Sequence, residues 1–246
     1  MTDHWWQTSG TSNLGDKHIT KEYIETREFS DKTDIFQYEQ YREDMEQYAQ
    51  RTTDLTVVRT GENVGVQTFI IMSPLIYGLG TGLFNNISIQ IPRLIRAAIS
   101  KGTALHVGDG LATWDHVHIA DLAALYVIIV NKALSGADLP SGRKGIYFSA
   151  GGRHTWLGLA QSIGKAGVHL GALKTAVPTS LTVEEAAQIL IGGNTQRAQL
   201  GYASRSVTNA DMARELGWKP SKTDADWEES IMEEFKYFLG KNKSVL

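Results

Sequence analysis

Cysteine is absent from the 246 residues. That removes disulfides, thiolate metal sites and a cysteine nucleophile, and it fits a reducing compartment. Long apolar runs are absent as well. The longest, LAALYVIIV from Leu122 to Val130, is far short of the ~20 residues that cross a bilayer. The opening MTDHWWQTSG has no basic stretch leading into an apolar one, so no secretory leader is expected. Charge of one sign is not in excess either: 24 Lys and Arg stand against 27 Asp and Glu, a formal net charge of −3 spread along the whole chain. No surface for nucleic acid or an anionic membrane is marked. These absences leave a soluble, cytoplasmic protein without nucleic acid or membrane as partner. Its 42% apolar content is enough to build a core.

Strand and helix patterns alternate through what is present. VQTFIIM (Val66 to Met72) is a β-branched and aromatic run closed by Ser73 and Pro74, which predicts a buried strand. Ile91, Leu94, Ile95 and Ala98 recur at helical spacing within 87–100. TALHVGDG reads as a strand entering a glycine turn, and KGIYFSAGG as another. IADLAALYVIIVNKAL carries Leu122, Leu125, Tyr126 and Ile129 on one face, with Asp121 in the first turn where a negative charge suits the helix dipole. Thr155 is placed to cap the helix of TWLGLAQSIGKA. Trp227, Ile231 and Phe235 share a face of a last helix that Gly240 and lysines should stop. The charged segment 31–51 reads as an exposed helix. Strands separated by helices predict an α/β protein with a largely parallel sheet.

In such a sheet the ligand usually sits outside the carboxyl ends of the strands. Three loops there carry chemistry: TSGTSNLG (Thr8 to Gly15), SPLIYGLGTG (Ser73 to Gly82) and DGLATWDHVHIAD (Asp109 to Asp121). Gly78, Gly80 and Gly82 do not make a dinucleotide fingerprint, because Leu83 holds the sixth position and no acid follows near Ser100. His116 and His118 share a strand face near Asp115 and Asp121. With no second ligand cluster in the chain, they read as structural histidines and no metal is expected.

Taken in order, these pieces resemble the extended short-chain dehydrogenase/reductases, the NAD-dependent epimerase and dehydratase group, in the wording of atypical fungal members. SPLIYGLGTG is similar to that family's R-P-x-x-V-Y-G-P-G loop, and GDGLATWDHVHIADLAALY to its G-D-G-x-x-x-R-D-F-V-H-V-D-D-L-A-x-A stretch. GIYFSAGGRHTWLGLAQSIGKA and NADMARELGWKP resemble its N-I-G-G-G-x-x-x-T-x-x-E-L-A and D-x-x-K-A-R-x-x-L-G-W-x-P segments. The resemblance implies a single NAD(P)-binding-like domain over 1–246. Residues 1–80 and 103–134 would form the C-terminal half of a Rossmann sheet, and 81–102 with 135–246 a smaller, mostly helical substrate-side subdomain. The family's opening strand and G-x-x-G-x-x-G turn, which would hold the cofactor's pyrophosphate at a helix N-terminus, are missing from the sequence. DHWWQTSG instead resembles its fifth strand, so the Rossmann-like sheet is expected to be incomplete. A truncated chain, open to being inactive as given, is expected ahead of a natural loss.

The implied function is NAD- or NADP-dependent epimerase, dehydratase or reductase chemistry on a small molecule. The alternative is a non-catalytic cofactor-sensing or interaction protein on the same scaffold, and a homodimer is compatible with either. Tyr48 matches the family's Tyr-x-x-x-Lys tyrosine, but Thr52 stands at the lysine position and Arg51 is the neighbouring cation. Tyr38 with Arg42 is a second pair. The family's serine or threonine position falls near Gly10, leaving Ser9 or Thr11 as neighbours. Ser73, Pro74 and Ile76 match the loop beside the nicotinamide. Trp114 replaces an arginine that commonly meets a nucleotide diphosphate, which implies a flatter or less charged substrate. Tyr77, Asp115 and His116 are assigned to the substrate side.

Overall fold

In the computed structural model, residues 3–243 are described. The chain runs β1 (His4–Gly10), β2 (Phe29–Ser30), α1 (Ile35–Met45), α2 (Ala49–Val64), β3 (Gln67–Ser73), β4 (Leu75–Tyr77) and α3 (Gln90–Lys101). It continues with β5 (Leu105–Val107), β6 (Thr113–His118), α4 (Ile119–Leu134), β7 (Ile146–Phe148), β8 (Gly152–Thr155), α5 (Trp156–His169) and β9 (Thr179–Leu181). α6 (Val183–Ile191), α7 (Thr195–Tyr202), β10 (Thr208–Asn209), α8 (Asp211–Glu215) and α9 (Asp224–Lys243) complete it.

The apolar run at Val66–Met72 is the strand β3, buried from Thr68 to Ser73. A strand apolar on both faces belongs in the middle of a parallel sheet. β3 lies between β1 and β7, parallel to both, with Thr8 opposite Ile71 and Ile71 opposite Tyr147. β4 and β6 pair in parallel and β8 joins β6 antiparallel, while β5 with β9 and β2 with β10 form two small parallel pairs. The architecture is thus the α/β, Rossmann-like arrangement expected. β7 comes from the 135–246 span, yet by its pairing it belongs with β3.

Two apolar cores result. One gathers Val58, Phe69, Ile70, Leu125, Phe148 and Trp218 around β3. The other gathers Ile95, Trp114, Trp156, Leu159, Ala187 and Phe235 among α3, α5, α6 and α9. α4 spans the expected residues, and Thr155 accepts from the Gly158 N–H as the cap of α5. α9 does not stop at Gly240 but runs to Lys243.

The 31–51 segment departs from an exposed helix. It holds α1 and the start of α2, and Phe36, Tyr38, Glu39, Arg42 and Arg51 are buried in it. The polar ones are compensated by long-range bonds that no local period reveals: Arg42 donates to the Gly15 carbonyl at 3.1 Å and lies 3.7 Å from the Tyr23 ring centroid. No helix among the described residues is long and apolar enough to cross a membrane.

Candidate active site

Gly10 and Ser73 are register partners at the carboxyl ends of β1 and β3, so the loops after both strands leave the sheet at one level. With the 78–89 loop and the ends of α3 and α7 they enclose a cavity of about 710 Å³. Its floor is hydroxyl-rich. Tyr48, the residue capping the N-terminus of α2, donates from Oη to Ser12 Oγ at 3.2 Å. Ser12 Oγ in turn donates to Gln50 Oε1 at 2.6 Å.

Four polar atoms of cavity-lining residues, Thr11 Oγ1, Ser88 Oγ, Trp114 Nε1 and Tyr202 Oη, are buried without a hydrogen-bond partner among the described residues. These atoms are closed off from solvent, so their cost is borne by the surrounding packing. Arg93 and Arg197 also line the cavity, and no acidic residue does. Trp114, which stands at the arginine position of the family stretch, is only 2% exposed, and the two arginines of the cavity come from α3 and α7 instead.

Of the residues the sequence singles out, Tyr48, Ser9, Thr11, Ser73, Pro74, Ile76 and Trp114 meet at this cavity. Ser9 turns its hydroxyl away from it, donating to the buried Asp54. Arg51 does not line the cavity: its guanidinium donates to Glu43 at 3.2 Å, to the Asn13 carbonyl at 2.8 Å and to the Glu46 carbonyl at 2.7 Å. Those bonds tie the β1 loop to α2. Thr52, at the lysine position, donates to Glu43. Tyr38 and Arg42 are bonded to each other away from the cavity, Nη1 donating to the phenol at 2.9 Å.

Tyr77, Asp115 and His116 lie behind the cavity. Asp115 accepts from Arg153 Nε at 2.8 Å and from the Thr208 N–H at 2.6 Å, joining β6 to β8 and β10. The His116 ring stacks on Trp227 at 4.1 Å, meets Tyr77 edge-on at 5.3 Å, and shares a 3.1 Å Nδ1–Nδ1 hydrogen bond with His154. Burial pushes His116 down to about 4 and raises Tyr77 to about 12. His118 accepts from the Ala120 N–H as the cap of α4. Both histidines thus do packing and capping work. Among the described residues no three His, Cys, Asp or Glu stand close enough to hold a metal ion.

Sequence reasoning missed Ser12, Gln50, Arg93 and Arg197. Ser12 and Gln50 were within reach, one being in the hydroxyl loop and the other two residues past Tyr48. Arg93 and Arg197 were not, because they lie 45 and 149 residues beyond Tyr48 on α3 and α7 and only the fold brings them to the cavity.

The NAD dependent epimerase/dehydratase family description matches residues 17–139. An "Oxidase ucsJ" of Acremonium sp is 29% identical over 163 residues, which is 63% of this chain and 46% of that protein. Among solved structures, dTDP-glucose 4,6-dehydratase from Bacillus anthracis, in complex with NAD, superposes with a TM-score of 0.57 at 13% identity, over 97% of this chain and 62% of that one. UDP-glucuronic acid 4-epimerase from Bacillus cereus, in complex with UDP-glucuronic acid and NAD, gives 0.58 at 14% identity, over 96% and 62%. The chain thus spans about half of the matched relative and three fifths of these solved proteins.

Proposed function

Because the chain belongs to the NAD-dependent epimerase/dehydratase family, we propose that its cavity binds a small anionic molecule and supports proton transfer at an oxygen on the carbon that exchanges hydride with NAD or NADP. The observation that carries this reading is the Tyr48–Ser12 hydroxyl pair facing a cavity with two arginines and no acid. Arg93 and Arg197 would hold the anionic substituent, a task suited to guanidinium forks. Tyr48 would give or take the proton, with Ser12 fixing its direction.

A nicotinamide cofactor supplies or accepts the hydride when bound. Ser73, Pro74 and Ile76 line the cavity and fit the nicotinamide end of such a cofactor. No G-x-x-G-x-x-G turn for the pyrophosphate occurs in the sequence, so the residues present fit one end of the group and not the other. The division of the chain into a sheet half and a substrate-side subdomain, the cytoplasmic location and a homodimer belong to the same proposal.

Isothermal titration with NADH, NADPH and UDP-glucuronic acid tests it. Saturable binding of UDP-glucuronic acid that is lost in Arg93→Ala supports the cavity reading, and binding of either dinucleotide supports the cofactor. Absence of all three responses overturns it. A second reading, a non-catalytic sensor or interaction protein, is favoured by Thr52 at the lysine position and by Tyr48 Oη being hydrogen-bonded to Ser12 and to no cation among the described residues. Binding without turnover in an extended substrate panel would support that reading.

A further inference from the structure

Gly10 stands near the place where the family resemblance puts a serine or threonine hydroxyl, and its backbone does not require glycine. Its φ of −138° and ψ of 144° are extended values that any residue adopts. The space beside it is already taken: a Cβ on Gly10 would lie 2.9 Å from Gln50 Nε2 and 3.2 Å from Gln50 Oε1. The carboxamide of Gln50 therefore fills the position that a side chain at residue 10 would use.

We propose that Gln50 replaces the missing hydroxyl as the donor that orients the substrate, its Nε2 holding the oxygen on the reacting carbon. The proposal rests on the cavity reading above and adds one residue to it. Ser12 Oγ donates to Gln50 Oε1 at 2.6 Å, and Tyr48 Oη donates to Ser12 at 3.2 Å. That chain fixes which way the amide points: with its carbonyl engaged, Nε2 is left as donor, and it has no hydrogen bond to protein among the described residues while Gln50 lines the cavity. An amide neither gives up nor accepts a proton at ordinary pH, so it can only hold the oxygen. Tyr48 keeps the proton transfer. The ligand class that satisfies both ends carries a carbonyl or secondary hydroxyl at the reacting carbon and an anionic group reaching Arg93 and Arg197.

The test begins on ligand-free protein by ¹⁵N NMR, with the Gln50 side-chain amide pair identified by its loss in Gln50→Ala. That pair is expected to move in Ser12→Ala and in Gly10→Ser. UDP-glucuronic acid is then titrated into the wild type and the variants, with thermal melts confirming that each is folded. The wild-type amide pair should move on binding. Gln50→Ala should weaken binding about 3- to 10-fold, the size of one neutral hydrogen bond, and Gly10→Ser/Gln50→Ala should recover most of that loss, which a merely structural glutamine would not allow. An amide pair indifferent to Ser12→Ala and Gly10→Ser overturns the proposal. So does unchanged binding in Gln50→Ala, or a double variant no better than the single one. A wild type that does not respond to UDP-glucuronic acid removes the cavity reading and the donor role with it. In that case the amide still answers Ser12→Ala, so the two failures are distinguishable.

Discussion

Replacing Glu39 by glutamine should remove a large part of the pH dependence of stability. Glu39 and Asp54 are both fully buried behind the β1 loop. Asn13 Nδ2 donates to Glu39 at 2.6 Å and to Asp54 at 2.8 Å, Gln7 Nε2 donates to Asp54 at 2.6 Å, and Ser9 completes the shell. Burial pushes Asp54 up to about 7, and burial together with the Asp54 charge raises Glu39 well above the usual carboxylate range. The folded pair therefore keeps a proton that the unfolded chain releases near pH 4, so stability is highest in acid and falls as pH rises toward 7. Each pH unit over which that proton is retained costs about 1.4 kcal/mol, so one proton held from pH 5 to pH 7 costs about 3 kcal/mol. In Glu39→Gln the carboxamide N–H stands in for the acid O–H toward Asp54 and its oxygen still accepts from Asn13. Urea unfolding followed by tryptophan fluorescence at pH 5, 6 and 7 should show the two proteins within about 1 kcal/mol at pH 5 and the variant about 3 kcal/mol ahead at pH 7. His116 and His154, held low by burial, act in the opposite sense below pH 6.5, but they are common to both proteins and cancel in the difference. Parallel curves, or a variant less stable at pH 7, would refute the shared proton.

Trp227→Ala should cost about 3–5 kcal/mol, because its ring packs on both His116 and His154, at 4.1 and 5.1 Å; a urea midpoint shift worth under 1 kcal/mol would contradict that packing. His116, held at about 4 by burial, should remain neutral at pH 5.5, and a ring resonance in NMR titrating near 6.5 would overturn its buried placement. Asp115→Ala should destabilise by roughly 3 kcal/mol, since it strands Arg153 and the Thr208 N–H, without changing affinity for UDP-glucuronic acid. Arg93→Ala should weaken that ligand about tenfold or more and flatten the salt dependence of its binding.

The fold was legible where local period and burial agree. β3 announced itself as a β-branched and aromatic run closed by Ser73 and Pro74, and α4 as a helix with an apolar face and an acidic first turn. The 31–51 segment was misjudged because its buried members are polar. Glu39, Arg42 and Arg51 are bonded to partners up to 38 residues away, and such pairs leave no hydrophobic signature. At the site, Tyr48 and the hydroxyl loop could be read because they are near one another in sequence. Arg51 could not be judged: it does lie by Tyr48, 5.7 Å from the centroid of its ring, but its guanidinium donors are taken by Glu43 and by the carbonyls of Asn13 and Glu46. Tyr77 and Asp115 show the period of a strand, facing away from their cavity-lining neighbours Ile76 and Trp114, while His116 is held off the cavity by its packing on Trp227.

The close fit between Gly10 and Gln50 also constrains how the sequence can drift. A serine arriving at position 10 would have to evict the carboxamide, and a small residue arriving first at position 50 would open a gap beside Tyr48. The two positions are therefore expected to change as a pair, through an intermediate that is small at both. Relatives should divide into those with a hydroxyl at the first position and a short side chain at the second, and those with the reverse. The identity of residue 50 would then tell the two catalytic dialects apart in chains where the tyrosine alone does not.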